Sequence, residues 1–559
     1  MRSFLRFALL AAVPVVAAAQ SAPPPPPPAP APAPVSKPAA VDPFAPLPPD
    51  QAAMRAHVLF LASDALRGRE AGTHDYDVAA QYVAAQFYAA GLRPAGDAGA
   101  YLQRVPLVTY RAADKGKLRW KPARGRAKAL KFGTDYVPLA DARAATTTLD
   151  APVVFVGHGV SAPQFGHDDY AGVDVRGKIV AFAGGAPDLG NGEVQASFTR
   201  DARLREAQRR GAVGAVGIDL AGGRGPGFAA LAKRWDRPAM TWAAPDGTGG
   251  GPAARGVPMV AMLSADGAAK LFGADWAGIA AAAREPKPAF RGVAAAGRLS
   301  VATATAFAAA TSSNVVGLLP GTDPALKEEV VVLSAHLDHI GVDPSGEGDR
   351  INNGALDNAI GIASLIEEAK RFAASGKPPR RSILFLAVTA EEKGLIGADY
   401  FAAHPTVALD RIVADVNLDM PVLLYRFEDM TVFGAERSTL GPIVRRAVRS
   451  AGVDLTPDKD PDQAFFVRSD HYRFVERGIP SVFLWPGQKG AGGKAFQDFL
   501  KTCYHRPCDE VTQPILWDQG VRFVDVNYRI AREIADADRR PVWNKGDYFG
   551  TLYGGPMAK

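Results

Sequence analysis

Long apolar runs alternate with amphipathic stretches through the second half of the chain. The runs VVVLSAHLD, SILFLAVTAEE, RIVADVNLDM and IPSVFLWP have the length and composition of buried strands. Stretches with helical spacing accompany them, including a long one over 518–535 and one that begins at Asp357, with an apolar stripe at Ile362, Leu365, Ile366 and Ala369. This alternation predicts an α/β fold with a mixed, largely parallel sheet flanked by helices.

Residues 143–300 show a different pattern. Short β-type runs such as PVVFVGHG and GKIVAFAGG are punctuated by glycine, and a Gly- and Pro-rich loop follows further along. The pattern indicates a separate β-rich domain inserted into the α/β domain. The insertion would divide the α/β domain into residues 49–142 and residues 301–559, and the second part would include a C-terminal extension.

The first 48 residues carry two compositional signals. Residues 1–19 combine two arginines, an apolar stretch and three consecutive alanines, which is the arrangement of a secretory signal peptide. Residues 20–48 are rich in Pro and Ala and predict a linker without a core of its own. The apolar stretch is too short to favour a permanent membrane span, so we expect an exported protein that is periplasmic or secreted.

Length, charge and cysteine content restrict the class of protein further. A chain of 559 residues with 47% hydrophobic residues can form two or three domains with real cores. The formal net charge is only +6 without a dense basic block, so we expect no nucleic-acid partner. In an oxidising compartment, the close pair Cys503 and Cys508 predicts a disulfide bond.

Side chains of the metal-ligand type follow the predicted strands. They are His336 and Asp338, Glu391 and Glu392, Asp419, and, after the last strand, His505. Open α/β sheets bind ligands at the carboxyl ends of their strands, and zinc takes both imidazole and carboxylate ligands. Asp357 is the candidate for a carboxylate that bridges two ions. Strand alternation turns His339 away from His336, so we do not expect it to be a ligand.

The segment LRGREAGT lies between the first two predicted helices and contains Arg67 and Arg69 beside two glycines. A loop of this kind either sits near a functional site or simply links two helices. The sequence leaves both interpretations open.

Five motifs occur along the chain in the order AHLDH, GALDN, AEEKGLIG, NLDM and YHRPCD. Together they resemble the M28 family of zinc aminopeptidases, and the resemblance covers most of residues 50–540. Residues 150–300 resemble the protease-associated (PA) domain that is inserted in many members. The resemblance implies two Zn²⁺ ions, one held by His336, Asp357 and Asp419. The second would be held by Asp357, Glu392 and His505, with Asp357 as the bridge.

The resemblance also implies roles in the reaction. Glu391 corresponds to the general base, Asp338 to the carboxylate behind the first histidine, and Tyr504 to a tyrosine that helps to hold the oxyanion. The segment Ser469, Asp470 and His471 corresponds to a pocket-lining segment. A metal-bound hydroxide would attack the scissile carbonyl, while Glu391 takes the proton and returns it to the leaving amine. We therefore expect an aminopeptidase for short peptides, with the inserted domain walling the cleft.

Three alternatives remain open on sequence grounds. A dipeptidase or carboxypeptidase of the same fold would need a cationic clamp for the substrate carboxylate, for which Arg468 and Arg426 are candidates. Glutaminyl cyclisation uses one zinc ion, and the complete two-metal set argues against it. A peptide-binding protein without catalysis is disfavoured because all expected ligands and the base are present. The sequence does not indicate the oligomeric state.

Overall fold

The computed structural model describes residues 44–220, 227–285 and 290–559. The predicted signal peptide (residues 1–19) and most of the predicted linker (residues 20–48) lie outside the described residues. None of the helices in the described residues combines the length and apolar character needed to span a bilayer.

The helices of the described residues are α1 (Pro49–Leu61), α2 (His74–Ala89), α3 (Gly192–Ser197), α4 (Arg200–Arg209), α5 (Phe228–Lys233), α6 (Ala265–Phe272), α7 (Trp276–Arg284), α8 (Ile360–Ala374), α9 (Ile396–Ala403), α10 (Leu440–Ser450), α11 (His471–Val475), α12 (Gly492–Thr502), α13 (Trp517–Asp536) and α14 (Tyr548–Leu552). The strands are β1 (Arg93–Pro94), β2 (Leu102–Ala112), β3 (Lys117–Pro122), β4 (Lys128–Ala129), β5 (Tyr136–Pro138), β6 (Thr146–Phe155), β7 (Ser161–Ala162), β8 (His167–Asp168), β9 (Ile179–Ala183), β10 (Gly214–Ile218), β11 (Ala239–Trp242), β12 (Met259–Leu263), β13 (Val293–Leu319), β14 (Val330–His336), β15 (Ser382–Val388), β16 (Ile412–Leu418), β17 (Asp429–Phe433), β18 (Asp454–Thr456) and β19 (Ser481–Pro486).

The main sheet is mixed and has a parallel centre. Its strand order is β11-β2-β13-β15-β14-β16-β19-β17-β18. The central strands β15, β14, β16 and β19 are parallel, and they are flanked by the antiparallel strands β13 and β17. Every residue of β14, β15 and β16 is buried, as expected for strands covered on both faces. The predicted α/β fold with a mixed, largely parallel sheet is confirmed.

Strand alternation divides the core into two layers. Val331 and Leu333 of β14 belong to a large apolar cluster that also contains the buried faces of α1, α2, α8 and α13. Val330 and Val332 point the other way and join a second cluster with Phe401 of α9 and Phe474 of α11. The helices therefore cover both faces of the sheet and leave its edge at the carboxyl ends of the strands for a site.

Strand β13 connects the main sheet to a second large sheet. It is 27 residues long; its first part pairs with β3 and β6, and its second part pairs with β2 and β15. The second sheet has the order β4-β3-β13-β6-β9-β10-β12-β5 and packs its own apolar core. Its strands begin at Lys117, upstream of residue 143, while β11 from the same region joins the main sheet. The assignment of residues 143–300 as a PA-like domain stays a prediction.

Candidate metal centre

The candidate site lies where the parallel strands end. His336 is the last residue of β14, and Asp419 directly follows β16. Glu391 and Glu392 lie in the turn after β15, and His505 lies in the loop after α12. Neighbouring parallel strands end at the same edge of a sheet, which brings these residues from distant parts of the sequence together.

Asp357 lies between two histidines. One of its carboxylate oxygens, Oδ1, is 3.2 Å from Nε2 of His336, and the other, Oδ2, is 3.2 Å from Nε2 of His505. The histidines each face a second carboxylate: His336 Nε2 is 3.1 Å from Oδ1 of Asp419, and His505 Nε2 is 3.1 Å from Oε2 of Glu392. The residues expected at the two metal positions therefore converge in two groups that share Asp357.

The backbone around Asp357 differs from the predicted helix start. Helix α8 begins at Ile360, and Asp357 belongs to a preceding π-helical turn with φ −119° and ψ 87°. The backbone N–H groups of Leu356 and Asp357 donate to the buried carboxylate of Asp509, at 2.9 and 3.0 Å. The expectation that a helix begins at Asp357 is wrong, because the N–H groups of Ala359 and Ile360 bond to the carbonyls of Gly354 and Ala355 in the π-helical turn. The Asp357 carboxylate faces the histidines instead.

The side chain of Arg69 supports the backbone next to His336 and before Asp357. Its guanidinium is completely buried and donates to the backbone carbonyls of Leu337 at 2.7 Å and Gly354 at 2.8 Å, and to that of Asn353. The loop LRGREAGT is thus part of the support of the site. Burial lowers the pKa of Arg69 to about 10, against the opposing effect of the surrounding carboxylates, so the group still carries its charge at neutral pH.

Asp338 positions the turn that carries the two glutamates. Its carboxylate accepts the backbone N–H of Glu391 at 3.0 Å and that of Glu392 at 3.4 Å. The imidazole of His336 faces the backbone carbonyl of Asp338, at 3.1 Å from Nδ1, rather than its carboxylate. The first contacts fix the turn that carries the two glutamates, and the last one fixes the orientation of the His336 ring. Burial raises the pKa of Asp338 to about 6.

Ser469 is the pocket residue of the segment 469–471. Its hydroxyl donates to Oδ2 of Asp419, whose backbone carbonyl accepts the indole N–H of Trp485 at 2.7 Å. Asp470 and His471 are buried and do not line the pocket. The structure therefore brings one of these three residues to the site.

His339 is the residue that sequence reasoning left out. Its Nδ1 lies 2.7 Å from Oε1 of Glu392. His339, Asp357 and Glu392 offer ligand-type atoms that all lie within 4.8 Å of one another. Because β14 ends at His336, the position of His339 three residues later in the loop does not follow from strand alternation, and its exclusion as a ligand stays a prediction.

The loop that carries His505 is closed by the predicted disulfide bond. Cys503 and Cys508 are bonded in the structure, five residues apart, and their bond encloses Tyr504 and His505. The Tyr504 ring stacks on that of His505 with centroids 3.8 Å apart, and both side chains line the pocket. Burial raises the pKa of Tyr504, so its hydroxyl stays protonated and can donate a hydrogen bond.

Burial and charge act differently on the two glutamates. Burial raises the pKa of Glu391, and the carboxylates of Glu392 and Asp419 act in the same direction, against His336. Burial would also raise the pKa of Glu392, but the imidazoles in contact with it lower the pKa to about 2. One glutamate is therefore held as an anion among the histidines, whereas its neighbour is suited to accept a proton.

The donor atoms are spaced as metal ligands are. The four imidazole–carboxylate distances around Asp357 are 3.1–3.2 Å. Ligand atoms at tetrahedral bond lengths from zinc are about 3.3 Å apart. In the described part of the chain, both ring nitrogens of His339 and Oε1 of Glu392 are buried without a hydrogen bond of good geometry. Unsatisfied buried donors and acceptors of this type fit a site completed by a cation.

A pocket of about 390 Å³ opens over the carboxylates. Glu391, Asp419 and the histidines form one side of it. The apolar part of its lining consists of Met420, Phe465, Phe483, Trp485 and Leu500. Its outer polar part consists of Gln463, Arg468, Gln497 and Lys501. The pocket therefore joins an acidic centre, an apolar wall and a rim that contains two cations.

The fold and the donor set define an α/β protein with a candidate metal centre at the carboxyl ends of its parallel strands. Comparison of sequences specifies the family, because residues 314–531 match Peptidase family M28. This segment contains all the ligand-type residues described above, and it forms an M28 peptidase domain.

Several characterised proteins are similar to this chain. Leupeptin-inactivating enzyme 1 of Streptomyces exfoliatus is 31% identical over 219 residues, which are 36% of this chain and 44% of that protein. Aminopeptidase YwaD of Bacillus subtilis is 26% identical over 211 residues, or 37% and 41% of the two chains. The chain thus spans less than half the length of these curated relatives. Among solved structures, an aminopeptidase from Aneurinibacillus sp. strain AM-1 has a TM-score of 0.48 at 18% identity, covering 88% of this chain and 95% of that one.

Proposed function

We propose that the protein is an exported di-zinc aminopeptidase that removes N-terminal residues from short peptides. The observation that carries the proposal is the position of Asp357, whose two carboxylate oxygens each face a different histidine at 3.2 Å. A shared carboxylate of this kind is what a two-metal site requires. Membership of residues 314–531 in a peptidase family supports peptide hydrolysis as the reaction.

The ligand-type residues around Asp357 would hold two ions. His336 and Asp419 would hold one zinc ion, Glu392 and His505 the other, and Asp357 both. When bound, such a pair of ions activates a water molecule and stabilises negative charge on the scissile carbonyl. Tyr504 lines the same pocket, where its hydroxyl can donate to that oxygen.

Glu391 is the candidate general base. It lines the pocket beside the ligand-type residues, and its carboxylate has no ion-pair partner in the described part of the chain. It can therefore accept the proton of the attacking water and pass it to the leaving amine. Asp338 would keep this turn in place through the backbone N–H groups of Glu391 and Glu392.

The pocket also suits an N-terminal residue. Glu391 and Asp419 place carboxylates where they attract the ammonium group of a free N-terminus. The adjoining apolar wall favours an apolar first side chain, and it consists of Met420, Phe465, Phe483 and Trp485. Export is supported by the composition of residues 1–19 and by the Cys503–Cys508 disulfide, since such bonds belong to oxidising compartments.

One observation favours a second candidate, a carboxypeptidase or dipeptidase. Arg468 lines the same pocket as the proposed ligands, whereas Arg426 is three-quarters exposed and pairs with Asp518 elsewhere. A clamp for a substrate carboxylate is thus available at one of the two positions that the sequence suggested. Dependence on a free amine distinguishes this candidate from an aminopeptidase.

Metal analysis of three proteins tests the proposed centre. We expect two zinc ions per chain in the parent protein, loss of both from Asp357→Ala, and selective loss of one from His505→Ala. Chelated protein should lose hydrolysis of leucine p-nitroanilide and regain it with zinc. If Asp357→Ala still bound two zinc ions tightly, the shared ligand would be wrongly assigned.

A further inference from the structure

Two cations lie at the rim of a pocket that has an acidic centre and an apolar wall. Arg468 and Lys501 are both exposed and lie at the rim of the pocket that contains Glu391 and Asp419. Neither cation has a carboxylate partner within 4.0 Å among the described residues. A pocket with carboxylates at one side and unpaired cations at its rim is electrostatically matched to a ligand with an amine and a carboxylate.

Local contacts hold Arg468 at the rim. Its guanidinium lies over the ring of Phe465, 5.5 Å from the centroid, and Nη1 donates to the backbone carbonyl of Gln463 at 3.4 Å. Phe465 and Gln463 line the pocket themselves. The cation–π contact orients the guanidinium and leaves most of its donors for another group.

The sequence of α12 leaves Lys501 without a local partner. The residue one turn before it is Gln497, which also lines the pocket and carries no charge. Asp498 is engaged on the same helix by Lys494. Lys501 therefore differs from Lys494, the other lysine of the helix, in that its ammonium group is available to a ligand.

We propose that Arg468 and Lys501 recognise a carboxylate of the substrate, so that the enzyme prefers short peptides carrying a negative charge within the first few residues. This inference rests on the proposed function. The carboxylate can be the C-terminus of a dipeptide or tripeptide, or an acidic side chain, and both present the same group to the two cations. Arginine matches carboxylate oxygens with paired N–H donors, and lysine adds a point charge.

The proposal predicts a difference in KM rather than in kcat, because contacts at the rim act alike on bound substrate and transition state. We expect the amide of Leu-Ala-Ala to have a KM about two- to fivefold higher than the free acid, the range for an exposed charge pair. The difference should shrink at high ionic strength. If the two cations also bind a side-chain carboxylate, the amide of Leu-Ala-Glu should have a KM between those of the acid and the amide of Leu-Ala-Ala.

Two variants test whether Arg468 and Lys501 cause the KM difference between the free acid and the amide. In Arg468→Gln and Lys501→Gln, the KM values of the free acid and the amide should approach each other. Arg426→Gln and Lys494→Gln are matched controls, since both cations are exposed and each already pairs with an aspartate. They should keep the parent preference for the free acid.

The outcomes separate this inference from the proposed function. If the parent enzyme hydrolyses leucine p-nitroanilide but has equal KM values for the free acid and the amide, the role of the two cations is overturned. The proposed aminopeptidase activity would then still stand. A preference that survives in Arg468→Gln and Lys501→Gln would also overturn it. Failure of zinc-loaded protein to cleave any of these substrates would overturn the proposed function and this inference together.

Discussion

Glu391 and Glu392 are adjacent in the sequence but have opposite surroundings. Glu392 contacts His339 at 2.7 Å and His505 at 3.1 Å, whereas Glu391 lines the pocket without an ion pair among the described residues. The carboxylate of Asp338 fixes both backbone N–H groups, so the two side chains cannot exchange positions easily. The adjacent pair can thus divide metal binding and proton transfer between its members.

Replacement of the proposed base tests this division. In Glu391→Gln, we expect kcat for leucine p-nitroanilide to fall by about 10²–10⁴-fold, the usual contribution of a general base. Zinc content and the thermal unfolding midpoint should stay at parent values, because Glu391 is not assigned to metal. The matched variant Glu392→Gln should lose zinc as well as activity. Turnover near that of the parent in Glu391→Gln would remove this residue from the mechanism.

Arg69 carries a prediction about the support of the site. Arg69→Met removes the donors of several buried carbonyls, including those of Leu337 and Gly354. Each unsatisfied buried acceptor costs about 1–3 kcal/mol, so we expect a loss of at least about 3 kcal/mol in the free energy of unfolding, with weaker zinc retention against a chelator. Arg67→Met is the control, since the Arg67 side chain is 67% exposed. Equal stability of the two variants in denaturant unfolding would contradict the supporting role.

At the scale of single residues, the sequence predicts which side chains meet but not all of their contacts. His336, Asp357, Asp419 and His505 converge because they sit at the ends of parallel strands or in loops beside them. The contact of His339 with Glu392 depends on where β14 ends, which alternation alone does not specify.

Among the elements, helix α8 shows where the sequence pattern succeeds and where it fails. The apolar stripe correctly predicts the helix that covers the sheet, and the long stretch 518–535 corresponds to α13 (Trp517–Asp536). The start of α8 is misplaced by three residues, because a π-helical turn over Ala355–Ala359 precedes it, and Asp509, distant in the sequence, binds the backbone of that turn. A local capping signal cannot reveal such a distant partner.

Two adjacent glutamates of helix α8 should have opposite effects on how the stability of the protein depends on pH. Burial raises the pKa of Glu368 well above its ordinary value of 4.5. Burial would also raise the pKa of Glu367, but hydrogen bonds from His57 and Lys370 outweigh it and lower the pKa. Above pH 4.5 the unfolded chain releases a proton that folded Glu368 retains, so this residue makes the protein less stable as pH rises. Glu367 contributes stability above that pH, which is lost as pH falls through its lowered pKa.

Thermal unfolding of Glu368→Gln and Glu367→Gln between about pH 4 and about pH 8 measures this difference. Relative to the parent, Glu368→Gln should gain stability as pH rises. Glu367→Gln should be less stable than the parent at neutral pH, and the difference should shrink below about pH 4.5. Parallel pH profiles of the two variants and the parent would contradict the assignment.

At the scale of the whole molecule, the β-rich region contacts a segment that lines the pocket. The described pocket lining includes no residue of 143–300, so the expectation that the inserted region walls the cleft gains no support. Helix α3 of this region instead packs against the segment 461–467, part of which lines the pocket. A Cβ atom on Gly192 would lie 2.5 Å from the backbone oxygen of Pro461. The long strand β13 ties the same region to the main sheet.

Gly192→Ala should therefore affect the pocket from a distance. The added methyl group must displace the segment 461–467, at a cost of about 1–3 kcal/mol in stability, and KM for leucine p-nitroanilide should rise while zinc content stays unchanged. Gly278→Ala is the matched control, because a Cβ there has no neighbour within 4 Å and Gly278 is also helical. Equal KM values for both variants would show that α3 does not influence the pocket wall.

The central claim is that zinc-loaded protein cleaves peptides at a free N-terminus. The most direct measurement compares the tripeptide Leu-Ala-Ala with its N-acetylated form, with the products identified by mass spectrometry. Acetylation removes the charge that Glu391 and Asp419 are placed to attract, and it leaves Glu391, which has no ion pair among the described residues, without a cationic partner. We predict release of leucine from the free tripeptide and cleavage of the acetylated one about ten- to a hundredfold slower, as for the loss of a charged hydrogen bond. Equal cleavage of both peptides, or release of the C-terminal alanine from the acetylated form, would contradict the account.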